Sequence, residues 1–89
     1  MYSTNNVWKE QEEKTMRFYY QRLKDLREDG NKVIKQGEIA ELLGTTQQTY
    51  SIWERGEREI PFHHVITLAK YYNVSIDYIA GLTNNKKGR

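Results

Sequence analysis

The sequence predicts an all-α domain built from five short helices, and two kinds of observation support this. Apolar residues recur at intervals of three and four positions in five separate stretches, which is the spacing of one helix face, and no stretch alternates as a strand does. Glycine or asparagine follows each stretch, and these residues favour the left-handed backbone that ends a helix. At 89 residues the chain has room for a single core.

The first helix is predicted over residues 16–29, with Gly30 at its end. Apolar side chains occupy one face of this helix, and charged side chains fill the other. The apolar positions are Phe18, Tyr19, Leu23 and Leu26, and the charged positions are Arg22, Lys24, Arg27 and Glu28. In the connector that follows, Val33 and Ile34 are both expected to face the core.

The second and third helices are predicted over residues 36–43 and 47–55, joined by a tight turn at Gly44. Glycine suits that turn because only glycine adopts a left-handed backbone at little cost. Thr45 or Thr46 is expected to cap the third helix by accepting a hydrogen bond from a free backbone N–H. The side chains expected to be buried in this pair are Ile39, Ala40, Leu42, Leu43, Tyr50 and Trp53.

A charged loop leads to a fourth helix, predicted from Pro61 to Asn73, and a fifth helix is predicted between Ser75 and Gly81. Proline suits a first helical turn, and serine suits the position just before one. The inner face of the fourth helix comprises Val65, Leu68, Ala69 and Tyr72. Residues 83–89 form a polar, basic tail that is expected to fray.

Composition limits the classes of protein that the chain can belong to. There is no cysteine, which excludes disulfides and thiolate zinc sites and fits a reducing compartment. No apolar run approaches the roughly 18 residues of a membrane span, and the polar start is unlike a signal peptide. The sequence therefore predicts a cytoplasmic protein that does not bind membranes.

Net charge alone does not predict a nucleic-acid partner. The total of +2 divides into −1 over residues 1–15, nine basic against nine acidic groups over residues 16–82, and +3 over residues 83–89. Because the central region is balanced, any affinity for DNA has to come from where charges lie rather than from their sum.

The exposed face of the third helix is the most informative feature. With Tyr50 and Trp53 turned inward, the outer face carries Gln47, Gln48 and Ser51, followed by Ile52 and Arg55. Amide and hydroxyl side chains on one exposed face are unusual for a purely solvated surface. They are the groups that read base edges in a DNA major groove.

Three segments of the chain resemble the Cro/lambda-repressor (XRE) family of helix-turn-helix proteins. The run KQGEIAELLGTTQQTYSIWERG resembles its helix-turn-helix, RLKDLRE its first helix, and LAKYYNVSIDYIAGL its last two helices, so the likeness covers residues 16–82. It implies a five-helix lambda-repressor-like DNA-binding domain between a polar extension, residues 1–15, and the basic tail, residues 83–89. It also implies a sequence-specific transcriptional regulator, most simply a repressor, that binds double-stranded DNA as a homodimer on a palindromic operator.

The resemblance also assigns roles to individual residues. The implied base contacts are Gln47, Gln48, Ser51 and Ile52. The implied phosphate contacts are Lys35, Gln36, Thr46 and Arg55. An ion pair between Arg27 and Glu54 is implied to tie the first helix to the end of the third.

The chain departs from the family pattern at three places. The connector over residues 30–35 is longer than the common form, so Lys35 stands where threonine or serine usually caps the second helix. Tyr50 replaces a smaller aliphatic residue, so its hydroxyl is expected to reach an edge of the core. The loop over residues 57–59 carries two acids where many relatives are basic, which predicts weak loop–phosphate contacts.

Other interpretations of the same residues remain open at this point. The outer face of the third helix could be an idle solvated surface. The fold could instead serve a protein-interaction module, such as an antitoxin or adaptor, that contacts its partner through residues 1–15 and Trp8. His63 and His64 point about 100° apart on a helix, which disfavours a shared metal ion. No nucleophile–base arrangement is evident, so neither an enzyme nor a cofactor is predicted.

Overall fold

The computed structural model describes residues 19–87, and over this range the predicted all-α fold with five helices is confirmed. Helix α1 includes residues 19–28, and its predicted start at residue 16 lies outside the described residues, as do residues 1–15. The other helices are α2 (Gln36–Leu43), α3 (Gln47–Glu54), α4 (Phe62–Tyr72) and α5 (Ile76–Ala80). Within the described range no helix is both long and apolar enough to cross a membrane.

Local capping chemistry explains where the helices begin and end. The hydroxyl of Ser75 accepts a hydrogen bond from the backbone N–H of Tyr78 at 2.9 Å and so caps α5. Helix α4 ends at Asn73 with a left-handed backbone (φ 58°), and α5 ends at Gly81 in the same conformation. Pro61, predicted in the first turn of α4, occupies the cap position just before it.

One core gathers apolar side chains from all five helices. Most of its members were predicted from helical spacing, but Ile60 was not, because it lies in the charged loop before α4. Its backbone N–H donates a hydrogen bond to the hydroxyl of Tyr19 at 2.7 Å, and burial raises the pKa of Tyr19 to about 12. The buried apolar residues are Leu23, Leu26, Ile39, Ala40, Leu43, Tyr50, Trp53, Ile60, Val65, Leu68, Ala69 and Ile79.

Two apolar side chains predicted to be buried are exposed. Val33 is 56% exposed, whereas its neighbour Ile34 packs against the core. Neighbouring side chains of an extended connector point to opposite sides, so only one of the two can face inward. Leu42 is 43% exposed because it lies at the flank of α2, about 100° around the helix from the buried Leu43.

Arg22, predicted among the charges on the other face of α1, is buried and contacts residues 83–84 at the start of the tail that is expected to fray. Arg22 is buried; its guanidinium donates to the backbone carbonyls of Tyr78 at 2.8 Å and Thr83 at 3.0 Å, and to the side-chain oxygen of Asn84 at 2.7 Å. The guanidinium also lies 4.0 Å above the ring of Tyr78. Residues 83–84 are therefore fastened to α1 by a buried cation, a long-range contact that helical periodicity does not reveal.

Candidate nucleic-acid interface

The turn at Gly44 sets the geometry between α2 and α3. Gly44 adopts a left-handed backbone (φ 72°), and its N–H donates to the carbonyl of Glu41 at 3.1 Å. The N–H of Thr45 donates to the carbonyl of Ala40 at 2.9 Å, which completes the helix end. Ala40 is buried at the point where the two helices pack, and its small side chain allows a close approach.

The start of α3 is capped by Thr46 rather than by Thr45. The Thr46 hydroxyl oxygen accepts a hydrogen bond from the backbone N–H of Thr49 at 3.1 Å, and the same hydroxyl donates to the side-chain oxygen of Thr49 at 3.0 Å. Thr46, an implied phosphate contact, thus already has internal partners for its hydroxyl.

The core-facing side of α3 is dominated by two aromatic residues. Tyr50 and Trp53 are buried, with their rings edge to face at a centroid distance of 6.4 Å. The prediction that the Tyr50 hydroxyl reaches an edge of the core is wrong, since Tyr50 is 0% exposed. The hydroxyl lies near the Glu54 carboxylate without a hydrogen bond of ordinary geometry, and burial raises the pKa of Tyr50.

On the opposite side, polar residues of α2 and α3 share one open depression of about 350 Å³, which we call the amide-rich concavity. Gln47 and Gln48 are exposed within it, Ser51 and Ile52 are half-buried, and Arg55 is exposed. The structure therefore brings all four implied base contacts onto one surface. The residues that line the concavity are Gln36, Gln47, Gln48, Ser51, Ile52 and Arg55.

A buried ion pair locks the two helices of this unit onto α1. The guanidinium of Arg27 donates to both carboxylate oxygens of Glu54, at 2.8 and 2.7 Å, and also to the carbonyl of Ile34 at 2.9 Å. The side chains of Arg27 and Glu54 are only 9% and 4% exposed. Such a bidentate ion pair fixes the relative orientation of the two side chains as well as the distance between them.

Gln36, at the start of α2, extends this network. Its side-chain N–H donates to the carboxylate of Glu54 at 2.9 Å. This carboxylate, at the end of α3, therefore joins Arg27 near the end of α1 to Gln36 at the start of α2. Burial acts to raise the pKa of Glu54, but the hydrogen bonds from Arg27 and Gln36 outweigh it, and the pKa is lowered overall. The side chain of Gln36, which is implied to bind phosphate, thus already donates a hydrogen bond to the carboxylate of Glu54.

Lys35 and Arg55 are the two cations implied to contact phosphate. Lys35 is exposed and precedes α2, where its backbone N–H donates to the carboxylate of Glu38 at 3.0 Å. Arg55 follows α3, and its guanidinium donates to the carboxylate of Glu57 at 2.8 and 3.3 Å and to the hydroxyl of Ser51. Hydrogen bonding to Arg55 lowers the pKa of Glu57.

The rings of His63 and His64 lie close together in a tilted arrangement, and His64 also lies close to Trp53 of α3. Their ring centroids are 4.0 Å apart, and the ring of His64 lies 5.2 Å from that of Trp53. Burial, with a smaller contribution from the charge of His63, lowers the pKa of His64. Among the described residues no group of three or more potential metal-binding side chains lies together.

Gly56 ends α3 and passes close to α1. It has a left-handed backbone (φ 77°), and a methyl group added at this position would overlap the ring of Tyr20. Gly56→Ala is therefore expected to lower the free energy of unfolding by at least about 2 kcal/mol, through backbone strain together with overlap. Urea denaturation monitored by circular dichroism measures this loss.

Gly30→Ala is the matched control, because a methyl group there would meet only backbone atoms at 3.8 Å or more. This variant is expected to change stability by less than about 0.5 kcal/mol. Equal losses in the two variants would contradict a special packing role for Gly56.

A buried face, an exposed amide face and a glycine turn between two short helices define a helix-turn-helix domain. The helix-turn-helix family matches residues 23–79 of the chain, and the chain belongs to this family, in its Cro/lambda-repressor (XRE) branch. It is 36% identical over 67 residues to an uncharacterized HTH-type transcriptional regulator, YobD, of Bacillus subtilis (strain 168). That match covers 75% of this chain and 58% of the relative, so the chain spans less than two thirds of the length of the curated relative it matches. No solved structure matches the chain significantly.

Proposed function

We propose that the chain is a sequence-specific, double-stranded DNA-binding transcriptional regulator that reads the major groove with α3. The amide-rich concavity carries this proposal, because it exposes Gln47 and Gln48 side by side on a helix whose other face is anchored. A glutamine amide can donate to and accept from one adenine edge, and each such pair contributes about 1–3 kcal/mol of discrimination. The family and the name of the relative agree with this function.

The remaining residues of the concavity take supporting roles in the proposed complex. Ser51 and Ile52 lie one helical turn beyond the glutamines, where Ile52 can pack against a thymine methyl group. Lys35 and the N-terminus of α2 face phosphate. Gln36 and Arg55 reach phosphate only by sharing or exchanging their internal carboxylate partners.

Dimerisation and repression belong to the same proposal. One α3 covers only a few base pairs, so two copies on a two-fold symmetric operator supply the specificity that a regulator needs, with half-sites roughly 34 Å apart. Occupying promoter DNA in this way represses transcription without any further domain. The proposed DNA-binding unit is residues 16–82.

Selection of bound duplexes from a random pool tests this proposal. The expected result is an enriched sequence with two inverted half-sites whose centres lie about one helical turn apart. Sedimentation equilibrium with the enriched duplex should give two chains per duplex. A pool that shows no enrichment over its starting composition would contradict sequence-specific binding, and one chain per duplex would contradict the dimer alone.

A further inference from the structure

The amide-rich concavity contains a single charged side chain, and that charge is already neutralised from within the chain. Arg55 is the one cation among the six lining residues. Its Nε and Nη2 atoms donate to the two carboxylate oxygens of Glu57, at 2.8 and 3.3 Å, and its Nη1 atom donates to Ser51. Both members of the pair are accessible, with side chains 53% and 57% exposed.

This pairing uses the donors that a DNA phosphate would need. A guanidinium binds carboxylate and phosphate through the same parallel N–H pairs. A phosphate at Arg55 must therefore displace Glu57, or share the guanidinium with a nearby carboxylate of like charge. Either event weakens the contact relative to an arginine without an internal partner.

We propose that Glu57 is an intramolecular competitor for DNA phosphate at Arg55, which lowers affinity for all duplexes alike. The inference rests on the proposed function and adds a residue that sets the strength of binding without reading sequence. Phosphate contacts do not depend on the base sequence, whereas hydrogen bonds from the amides of Gln47 and Gln48 to base edges do. Glu57 therefore reduces the electrostatic part of binding and leaves discrimination to the glutamines.

Glu57→Gln tests the inference, with Glu59→Gln as a matched control. Glu59 lies in the same exposed loop and its replacement removes the same charge, while Arg55 is bonded to Glu57. Dissociation constants of the full chain for the enriched duplex and for a random duplex of equal length are measured by fluorescence anisotropy at several salt concentrations. Circular dichroism confirms that each variant folds.

Glu57→Gln is expected to bind both duplexes about three- to tenfold more tightly at low salt, with an unchanged ratio between them. The plot of log affinity against log salt concentration should steepen by about 0.9, the signature of one additional phosphate contact. Glu59→Gln should show a smaller gain and no such change in slope. Adding Arg55→Met should abolish the gain of Glu57→Gln.

Four results would overturn the inference. Equal gains in the two glutamine variants would show general charge repulsion, and a gain that survives Arg55→Met would place the competitor elsewhere. Weaker binding by Glu57→Gln would show that Glu57 holds Arg55 in a productive position. Equal binding of both duplexes by the wild-type chain would contradict sequence-specific function, but the effect of Glu57 on affinity could still be measured. If neither the wild-type chain nor any variant binds DNA, both proposals fail.

Discussion

Replacing Glu54 with alanine is expected to lower the free energy of unfolding by about 3–5 kcal/mol, the largest loss of any single change considered. The substitution leaves the Arg27 guanidinium buried without its main partner, and it also removes the acceptor of Gln36. A small domain has only about 5–15 kcal/mol in total, so most of its stability is at stake. Urea denaturation monitored by tryptophan fluorescence measures the loss.

Glu41→Ala supplies the control, because it removes a carboxylate from an exposed position of α2 in the same unit. That variant is expected to change stability by less than about 0.5 kcal/mol. A loss below about 1 kcal/mol in Glu54→Ala would mean that the pair contributes no more than a surface ion pair, contrary to its burial.

The same pair predicts how stability depends on pH. The pKa of Glu54 is lowered in the folded chain from its ordinary value of 4.5, so the pair stabilises the fold fully above that value. This contribution is lost as the pH falls from that value through the lowered pKa, because over this range the unfolded chain takes up a proton on Glu54 more readily than the folded chain, where the carboxylate holds Arg27. Glu54→Gln should therefore flatten the fall in stability at acid pH relative to the wild-type chain.

Helix boundaries could be predicted closely because they depend on local chemistry. Gly44, Asn73 and Gly81 supply left-handed helix ends, while Thr46 and Ser75 supply hydroxyl caps, and each acts within a few residues of itself. Helical periodicity then places α2 over Gln36–Leu43, in agreement with the predicted residues 36–43.

Features that depend on three-dimensional partners could not be predicted in this way. Arg22 is charged and occupies the polar face of α1, yet the chain after α5 returns to cover it. Tyr50 and Glu54 lie one turn apart on the buried face of α3, but the depth of Tyr50 depends on how completely the other helices cover that face, which the spacing within α3 does not specify. Val33 and Ile34 are both apolar, and only the path of the connector decides which one is buried.

The sequence predicts which residues form the surface of the candidate site, but it does not predict the hydrogen bonds that these residues make. The 3.6-residue period is enough to place Gln47, Gln48 and Ser51 on one face of α3. Long side chains choose their partners in space, so the attachment of Gln36 to Glu54 was not evident from the sequence. For Arg55, the carboxylate of Glu57 two residues further on is visible in the sequence. There it predicts only weak phosphate contacts by the loop over residues 57–59, and not a bond to Arg55.

Replacing Gln47 and Gln48 together with alanine is expected to reduce discrimination between cognate and random DNA by at least about tenfold. Both side chains are exposed, so their loss should leave the fold unchanged while removing the amide groups that we propose to contact base edges. Backbone and phosphate contacts survive the substitution, and binding to random duplex should therefore change by less than about twofold.

If the amides of α3 read DNA sequence, the ratio of two dissociation constants depends on Gln47 and Gln48. The ratio for random over enriched duplex is measured at one fixed salt concentration for the wild-type chain, Gln47→Ala/Gln48→Ala and Gln21→Ala, which removes an exposed glutamine from α1. This ratio is expected to collapse in the double variant and to be preserved in Gln21→Ala. An unchanged ratio in the folded double variant would show that Gln47 and Gln48 do not read the sequence.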